Sequence, residues 1–152
     1  MNDFRVEKIE RAAVLFFADG VVLEGVMYLS PFAQGHSGGQ TVLELLEEKD
    51  RYLPLHDQKG AFRLVNKQAL THLRYEEEGG NDAMEELGER IRVRIIFFGG
   101  ETLEGAIVLN MPENKRRLAD FLNAFPDFFP LDGGSVRYIV NGQMIREITP
   151  VR

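Results

Sequence analysis

The strongest constraint on the fold is a phrase that the sequence contains twice. Residues 17–25 read FADGVVLEG, and residues 97–105 read FFGGETLEG. Gly20 and Gly100 fall where a hairpin turn is expected, because glycine tolerates a positive φ. Gly25 and Gly105 fall inside the returning strand, where an interior glycine is typical of a bulge or a sharp bend. The repeated phrase therefore predicts a duplicated small β domain.

The duplication extends well beyond this phrase. YLPL at 52–55 matches FFPL at 128–131, and VNKQ at 65–68 matches VNGQ at 140–143. The spacing between matching residues shortens along the chain, and small insertions of this kind belong in loops. We therefore predict three segments, which are a first barrel repeat over 1–77, a linker able to hold a short helix over 78–89, and a second barrel repeat over 90–152.

Each repeat is predicted to hold about five short strands and one helix. Thr41 and Glu44 form a capping-box pattern that opens the first helix. The second helix is predicted from four apolar residues at helical spacing, which are Leu118, Phe121, Leu122 and Phe125. Because five short strands would leave two edges bare, we expect each repeat to close into a small barrel. The fold class is then mainly β, with two tandem barrels packed as a pseudo-dimer of approximate two-fold symmetry.

The arrangement of turn and bend residues resembles that of the Sm-like small β-barrels, within the wider SH3-like class. The residues that carry the resemblance are Gly20, Gly25 and Asn66 in the first repeat, and Gly100, Gly105 and Asn141 in the second. The chain departs from that pattern because a helix intervenes where Sm-like proteins continue a long third strand, and because their N-terminal helix is missing. The resemblance implies RNA contacts in the turns at Asn66-Lys67 and Asn141-Gly142.

Each repeat also resembles short uncharacterised bacterial domains. The resemblance lies in RLADFLN at 117–123, followed by FFP at 128–130. It supports the fold and implies no activity.

Composition excludes several classes of site. The chain of 152 residues contains no cysteine, so disulfides, thiolate metal sites and thiol catalysis are excluded. Its three histidines lack metal-ligand spacing, and we predict neither a metal nor a cofactor. The first residues do not form a signal peptide, and no apolar run approaches the about 20 residues that span a bilayer. We therefore expect a cytoplasmic protein without a membrane partner.

Two patterns raise the question of catalysis. GHSGG at 35–39 fits the G-x-S-x-G nucleophile motif, but a suitable histidine partner is missing, and a loop insertion is the better interpretation. Glu24 and Glu104 occupy matching positions, and two such carboxylates could act as an acid–base pair. The alternative is that they are strand residues exposed to water or paired with Arg92 or Arg94. We predict no catalytic residues.

One basic cluster and one aromatic stretch remain as candidate binding features. The cluster is Lys115, Arg116 and Arg117, at the start of the second helix, where phosphates or an acidic partner could bind. The aromatic stretch is expected to be mainly core, with a docking patch as the alternative; it comprises Phe121, Phe125, Phe128 and Phe129, with Phe32 and Tyr52 nearby. The predicted binding set is Lys115, Arg116, Arg117, Asn66, Lys67 and Asn141.

These observations favour a non-enzymatic module that binds another protein or a second copy of itself. The net charge of −6 makes nucleic acid a less favoured partner. The alternatives are an Sm-like binder of RNA or a nucleotide, using Lys115 to Arg117 and Lys67, and an enzyme that uses Glu24 and Glu104.

Overall fold

The computed structural model describes residues 8–32, 38–76, 89–109, 117–125 and 127–151. Lys115, Arg116, the GHS of the nucleophile-like motif and the predicted linker helix lie outside these ranges. We call the described residues up to 76 the first half, and those from 89 onward the second half.

The two halves contain the same elements in the same order. The first half consists of β1 (Ile9–Phe17), β2 (Val22–Leu29), α1 (Val42–Glu47), β3 (Tyr52–Asp57), β4 (Phe62–Asn66), a 3-10 turn (Lys67–Ala69) and β5 (Leu70–Tyr75). The second half consists of β6 (Glu89–Phe97), β7 (Thr102–Leu109), α2 (Arg117–Ala124), β8 (Phe128–Asp132), β9 (Arg137–Asn141), a 3-10 turn (Gly142–Met144) and β10 (Ile145–Pro150). The predicted strands and helices are present in both halves.

Local sequence signals act as predicted at the hairpins and at the first helix. Gly20 has φ 90° and Gly100 has φ 96°, and both close tight turns between antiparallel strands. At α1, Thr41 Oγ1 accepts a hydrogen bond from the amide of Glu44 at 3.1 Å, and Glu44 Oε1 accepts one from the amide of Thr41 at 2.8 Å. Both interactions of the capping box are therefore present.

All ten strands belong to one antiparallel sheet, in the order β10-β6-β7-β8-β9-β5-β1-β2-β3-β4. The mainly β fold class is confirmed, but the prediction that each repeat closes into its own barrel is wrong, because the sheet stays open. Closure of the first half would require β5 to pair with β4. Instead, β5 pairs with β1 on one side and with β9 of the second half on the other.

The junction between the halves also differs from the expected two-fold arrangement. By its place in the chain, β9 is the counterpart of β4, so β9 and β5 are non-equivalent strands. A two-fold axis would bring the same surface of both halves together, whereas this junction is head-to-tail. The physical reason is that the outer side of β5 and the outer side of β9 complete each other's backbone hydrogen bonds.

Two groups of buried side chains form the core. One lies mainly in the first half, but Phe128 and Ile139 of the second half belong to it. The other lies within the second half and contains Phe97, Ile107 and Phe129 among its most buried side chains. The first core is therefore completed by residues that the second half supplies.

The interior glycines of β2 and β7 are required by close approach of the next strand. A Cβ at Gly25 would lie 2.7 Å from the carbonyl oxygen of His56, and a Cβ at Gly105 would lie 2.8 Å from that of Asp132. Both distances are too short for carbon and oxygen. Glycine lets the strands cross at these points, which accounts for its presence in both copies of the repeated phrase.

We predict that Gly25→Ala lowers the free energy of unfolding by about 1–3 kcal/mol, because the contacted oxygen belongs to the backbone of a paired strand. The matched control is Glu24→Ala at the exposed neighbouring position, which should change it by less than about 0.5 kcal/mol. Urea unfolding of both variants is the measurement. An unchanged midpoint for Gly25→Ala would contradict the proposed role of close packing.

Candidate functional site

The junction between the halves shows how one surface of this fold accepts another. Leu73 of β5 lies opposite Ile139 of β9, and His72 lies opposite Val140. Leu73 and Val140 are fully buried, and Ile139 and His72 are nearly so. The side chains on both sides of the junction are therefore excluded from water, as in a protein interior.

One side chain bridges the junction by hydrogen bonding. Asn141 Nδ2 donates to the carbonyl oxygen of Leu70 in the other half at 2.9 Å, while Asn141 Oδ1 accepts from the amide of Gln143 at 3.1 Å. The matching residue Asn66 accepts from the amide of Gln68 at 3.0 Å in the same way. Asn66 is exposed, however, whereas Asn141 is completely buried. The two asparagines share a local role, and Asn141 alone also joins the halves.

The same contrast holds for the apolar residues around these asparagines. Phe128 is 3% exposed, but its counterpart Tyr52 is 50% exposed. Ile139 is 1% exposed, but its counterpart Leu64 is 60% exposed. The first half covers Phe128 and Ile139, but the matching residues Tyr52 and Leu64 remain exposed on the first half. We call this exposed region the β4 surface; it comprises Tyr52, Phe62, Leu64 and Asn66.

The opposite end of the sheet shows the complementary difference. Leu70 and Leu73 of β5 are fully buried, whereas their counterparts Ile145 and Ile148 of β10 are only half-buried. In the same way, Leu45 and Leu46 of α1 are buried, but Phe121 and Leu122 of α2 are only partly buried. We call this the β10 surface; it comprises Phe121, Leu122, Ile145 and Ile148.

Backbone groups are also unpaired at both ends. β4 and β10 are the first and last strands of the sheet, and within the described part of the chain no strand pairs with the outer side of either. An exposed strand edge offers a row of amide and carbonyl groups to an incoming strand. The sheet thus ends in two edges, each flanked by apolar side chains.

Lys67, one of the predicted binding residues, is used inside the fold. It is 4% exposed, and its Nζ donates to the carbonyl oxygens of Leu45 at 3.3 Å and Glu48 at 2.9 Å. Burial lowers the pKa of its ammonium, while Glu48 and Asp50 act in the opposite direction. The ammonium therefore stabilises the C-terminal end of α1, and a phosphate would have to break both hydrogen bonds to reach it.

The remaining predicted binding residues of the described ranges have different surroundings. Asn66 is exposed next to the free edge, Asn141 is buried at the junction, and Arg117 is the first residue of α2. Contact of any of them with RNA stays a prediction.

The two matching carboxylates have different surroundings. Glu104 forms ion pairs with Arg94 at 2.9 Å and with Arg92 at 3.7 Å, which confirms the strand-pairing interpretation for this residue. Glu24 lines a groove of about 640 Å³ together with Arg11 and Arg74. Four strands separate β2 from β7 in the order of the sheet, so the two carboxylates belong to different parts of it.

His72 is the most strongly perturbed titratable group of the junction. Its ring stacks on Phe16 at 4.3 Å and on Phe97 at 5.3 Å between centroids, and its Nδ1 lies 2.9 Å from Thr71 Oγ1. Burial lowers the pKa of His72 to about 4, and Arg74 acts in the same direction. The neutral ring therefore serves as packing between the halves.

Other classes of site receive no support from the geometry. Among the described residues, no group of three His, Asp or Glu side chains is placed to hold a metal ion. The helices of the described residues are also too short or too polar to cross a membrane.

Comparison with known proteins leaves the family open. A scan against protein-family models, a search of curated proteins and a search of solved structures each found no match. The resemblance to Sm-like barrels consequently stays a prediction.

The sequence indicates half of the residues of the β4 surface. Its patterns predict Tyr52 as a possible docking residue and Asn66 as a binding residue, whereas Phe62 and Leu64 belong to neither set. Of the aromatic stretch, Phe128 and Phe129 are core as expected, while Phe121 and Phe125 are half-buried. The alignment of the two repeats contained a signal for this surface. Leu64 and Ile139 occupy matching positions and are both apolar, although the outward face of an edge strand does not require an apolar residue.

We predict different costs for removing the two matching asparagines. Asn141→Ala should lower the free energy of unfolding by about 2–4 kcal/mol, because the turn loses its cap and a buried carbonyl loses its donor. Asn66→Ala serves as the matched control and should cost about 1 kcal/mol, since only the cap is lost. Chemical denaturation of dilute protein measures both. Equal costs would show that the bond across the junction contributes nothing.

We predict that His72 makes the protein less stable in acid. Because its pKa in the folded state lies below the value of 6.5 for the unfolded chain, the unfolded state binds the proton first as the pH falls. Stability should decrease from pH 6.5 to about 4, by about 3 kcal/mol at most. In His72→Phe and His72→Gln this part of the pH dependence should disappear. Thermal unfolding across that range is the measurement, and unchanged slopes in both variants would refute the assignment.

Proposed function

We propose that this protein is a non-enzymatic protein-interaction module that binds a strand of its partner at the free edge of β4. The observation that carries the proposal is the exposure of Phe62 and Leu64 on β4, with the exposed Tyr52 beside them on β3, at a strand whose outer side is unpaired among the described residues. Addition of a strand to such an edge gives affinity through backbone hydrogen bonds, and side chains beside the edge give specificity.

The side chains of the β4 surface share one face of the sheet. Leu64 lies opposite Pro54, and Phe62 lies opposite His56. The side chains of Pro54, Phe62 and Leu64 and the ring of His56 therefore form a continuous patch. Exposed apolar patches with a polar rim are typical of protein-binding surfaces. The nearby Arg63 is paired with Asp57 at 2.8 Å, which leaves little net charge beside the patch.

Three cations of the described residues are engaged within the protein, which favours a protein partner over RNA. The ammonium of Lys67 is held by two backbone carbonyls, and Arg92 and Arg94 are paired with Glu104. Binding of a polyanion depends on cations that are available to phosphates.

We also propose that each half is an opened unit of the SH3-like or Sm-like type. The support is the shared order of elements and the matching hairpin registers of the two halves. We place the module in the cytoplasm, a proposal that rests on the lack of cysteine in the sequence.

The test compares Leu64→Asp with Val22→Asp in affinity capture from host lysate, with and without nuclease. Leu64 is 60% exposed and Val22 is 55% exposed, so neither change should disturb the fold, and circular dichroism checks this. We expect the protein partner to survive nuclease, to bind Val22→Asp as it binds the original chain, and to be lost with Leu64→Asp. Capture of RNA alone, or equal capture by both variants, would refute the proposal.

A further inference from the structure

We propose that the partner at the β4 edge is the β10 edge of a second copy of this chain. This inference rests on the proposed function and names its partner. It would add β10 of one copy to β4 of the next by the same antiparallel pairing that already joins β5 to β9.

The internal junction provides the template. β4 matches β9 and β10 matches β5, by position in the chain and by their pairing with neighbouring strands. Within one chain, the β9-type edge of the second half is seated on the β5-type edge of the first half. This leaves one β9-type edge, β4, and one β5-type edge, β10, which are the two ends of the sheet. The two free ends are thus of the two types that fit each other.

The template also fixes the register. At the internal junction Leu73 pairs with Ile139 and Arg74 pairs with Tyr138. Carried over to the matching strands, Ile148 of one copy lies opposite Leu64 of the other, and Thr149 lies opposite Arg63. The residues of β10 can be matched to those of β5 one by one, because β10 pairs with β6 in the same register as β5 pairs with β1. Both pairings contain the same irregularity near the start of the strand.

The side chains on the two surfaces are complementary. At the internal junction, Phe128 and Ile139 are buried in a group that contains Leu45, Leu46 and Leu73. Between copies, Tyr52 and Leu64 would meet Phe121, Leu122 and Ile148, which match Leu45, Leu46 and Leu73 and are all partly buried. Association would therefore remove exposed apolar surface from water at both ends of the sheet.

One hydrogen bond of the internal junction also has its partners in place. Asn141 donates to the carbonyl of Leu70, and the counterparts are the exposed Asn66 and the carbonyl of Ile145. The cap that orients the asparagine is the same in both halves, with its Oδ1 held by the residue two positions later. The amide of Asn66 is therefore oriented for the same bond to a second copy.

Pro150 limits the length of the new ladder. Val151 donates to the carbonyl of Arg92 at 2.8 Å, so by the alternation of an antiparallel ladder the Thr149 amide also faces inward, and Ile148 and Pro150 face outward. Ile148 then supplies the outward amide and carbonyl, whereas Pro150 supplies a carbonyl only. Because the contact joins unlike edges, copies add head-to-tail until a ring closes or an open chain grows.

Cysteine cross-linking tests the register directly. The chain contains no cysteine, so Arg63→Cys and Thr149→Cys, made in separate chains of different mass, each carry one thiol. These positions form a pair without mutual backbone bonds, where Cα atoms lie about 4.5 Å apart, within disulfide reach. Oxidised glutathione takes up the two electrons and two protons. We expect the mixed dimer to exceed both homodimers by more than about fivefold, an excess above the twofold of random pairing.

The control mixes Val22→Cys with Thr149→Cys, since Val22 lies away from both edges at similar exposure. This mixture should give no excess of the mixed dimer. An excess in the control, or none for the Arg63 and Thr149 pair, overturns the proposed register.

Light scattering over a range of concentrations tests the association itself. The average molar mass of the original chain and of Val22→Asp should rise with protein concentration. Leu64→Asp should need a more than about tenfold higher concentration to reach the same molar mass, because association would bury an unpaired carboxylate. A chain that stays monomeric throughout overturns self-association.

The two proposals fail separately. A monomeric chain that still loses a nuclease-resistant partner protein with Leu64→Asp keeps the proposed function and rejects the second copy as its partner. A monomeric chain with no such partner rejects both.

Discussion

The antiparallel pairing of β5 with β9 holds the two halves of the molecule together. It turns two short sets of strands into one ten-stranded sheet, and it brings Phe128 and Ile139 into the core of the first half. Units of about 70 residues bury only a modest core by themselves. The junction therefore contributes packing that neither half supplies alone, and His72 and Asn141 are polar residues adapted to it.

Because the junction joins unlike strands, the molecule has two unlike ends. A symmetric junction would have hidden the same surface in both halves, whereas this one hides the β9 side of the second half and the β5 side of the first. What remains is an apolar edge at β4 and another at β10. The duplication thus yields both a folded unit and a pair of unused surfaces, and these surfaces motivate the proposed binding of proteins.

Polar residues illustrate how position in the fold decides the role of a side chain. Lys67 and Asn141 are residue types that ligand sites often contain. In this fold, however, Lys67 stabilises the end of α1 and Asn141 joins the two halves. A lysine or asparagine in a turn looks the same in sequence whether it faces water or the interior. The exposed Leu64 is the opposite case, since an apolar strand residue is expected to be core until its neighbours are known.

The local structure follows from short-range sequence signals. The hairpins at Gly20 and Gly100, the capping box at Thr41 and the strand positions follow from residues only a few places apart. Long-range packing, by contrast, leaves the sheet open, pairs β5 with β9, and exposes Leu64 while it buries Ile139. Those outcomes depend on which edges meet, and the matching edges of the two halves carry apolar residues at the same positions, as Leu73 and Ile148 do in β5 and β10. The repeated phrase therefore specified the unit, and long-range packing specified how the units join.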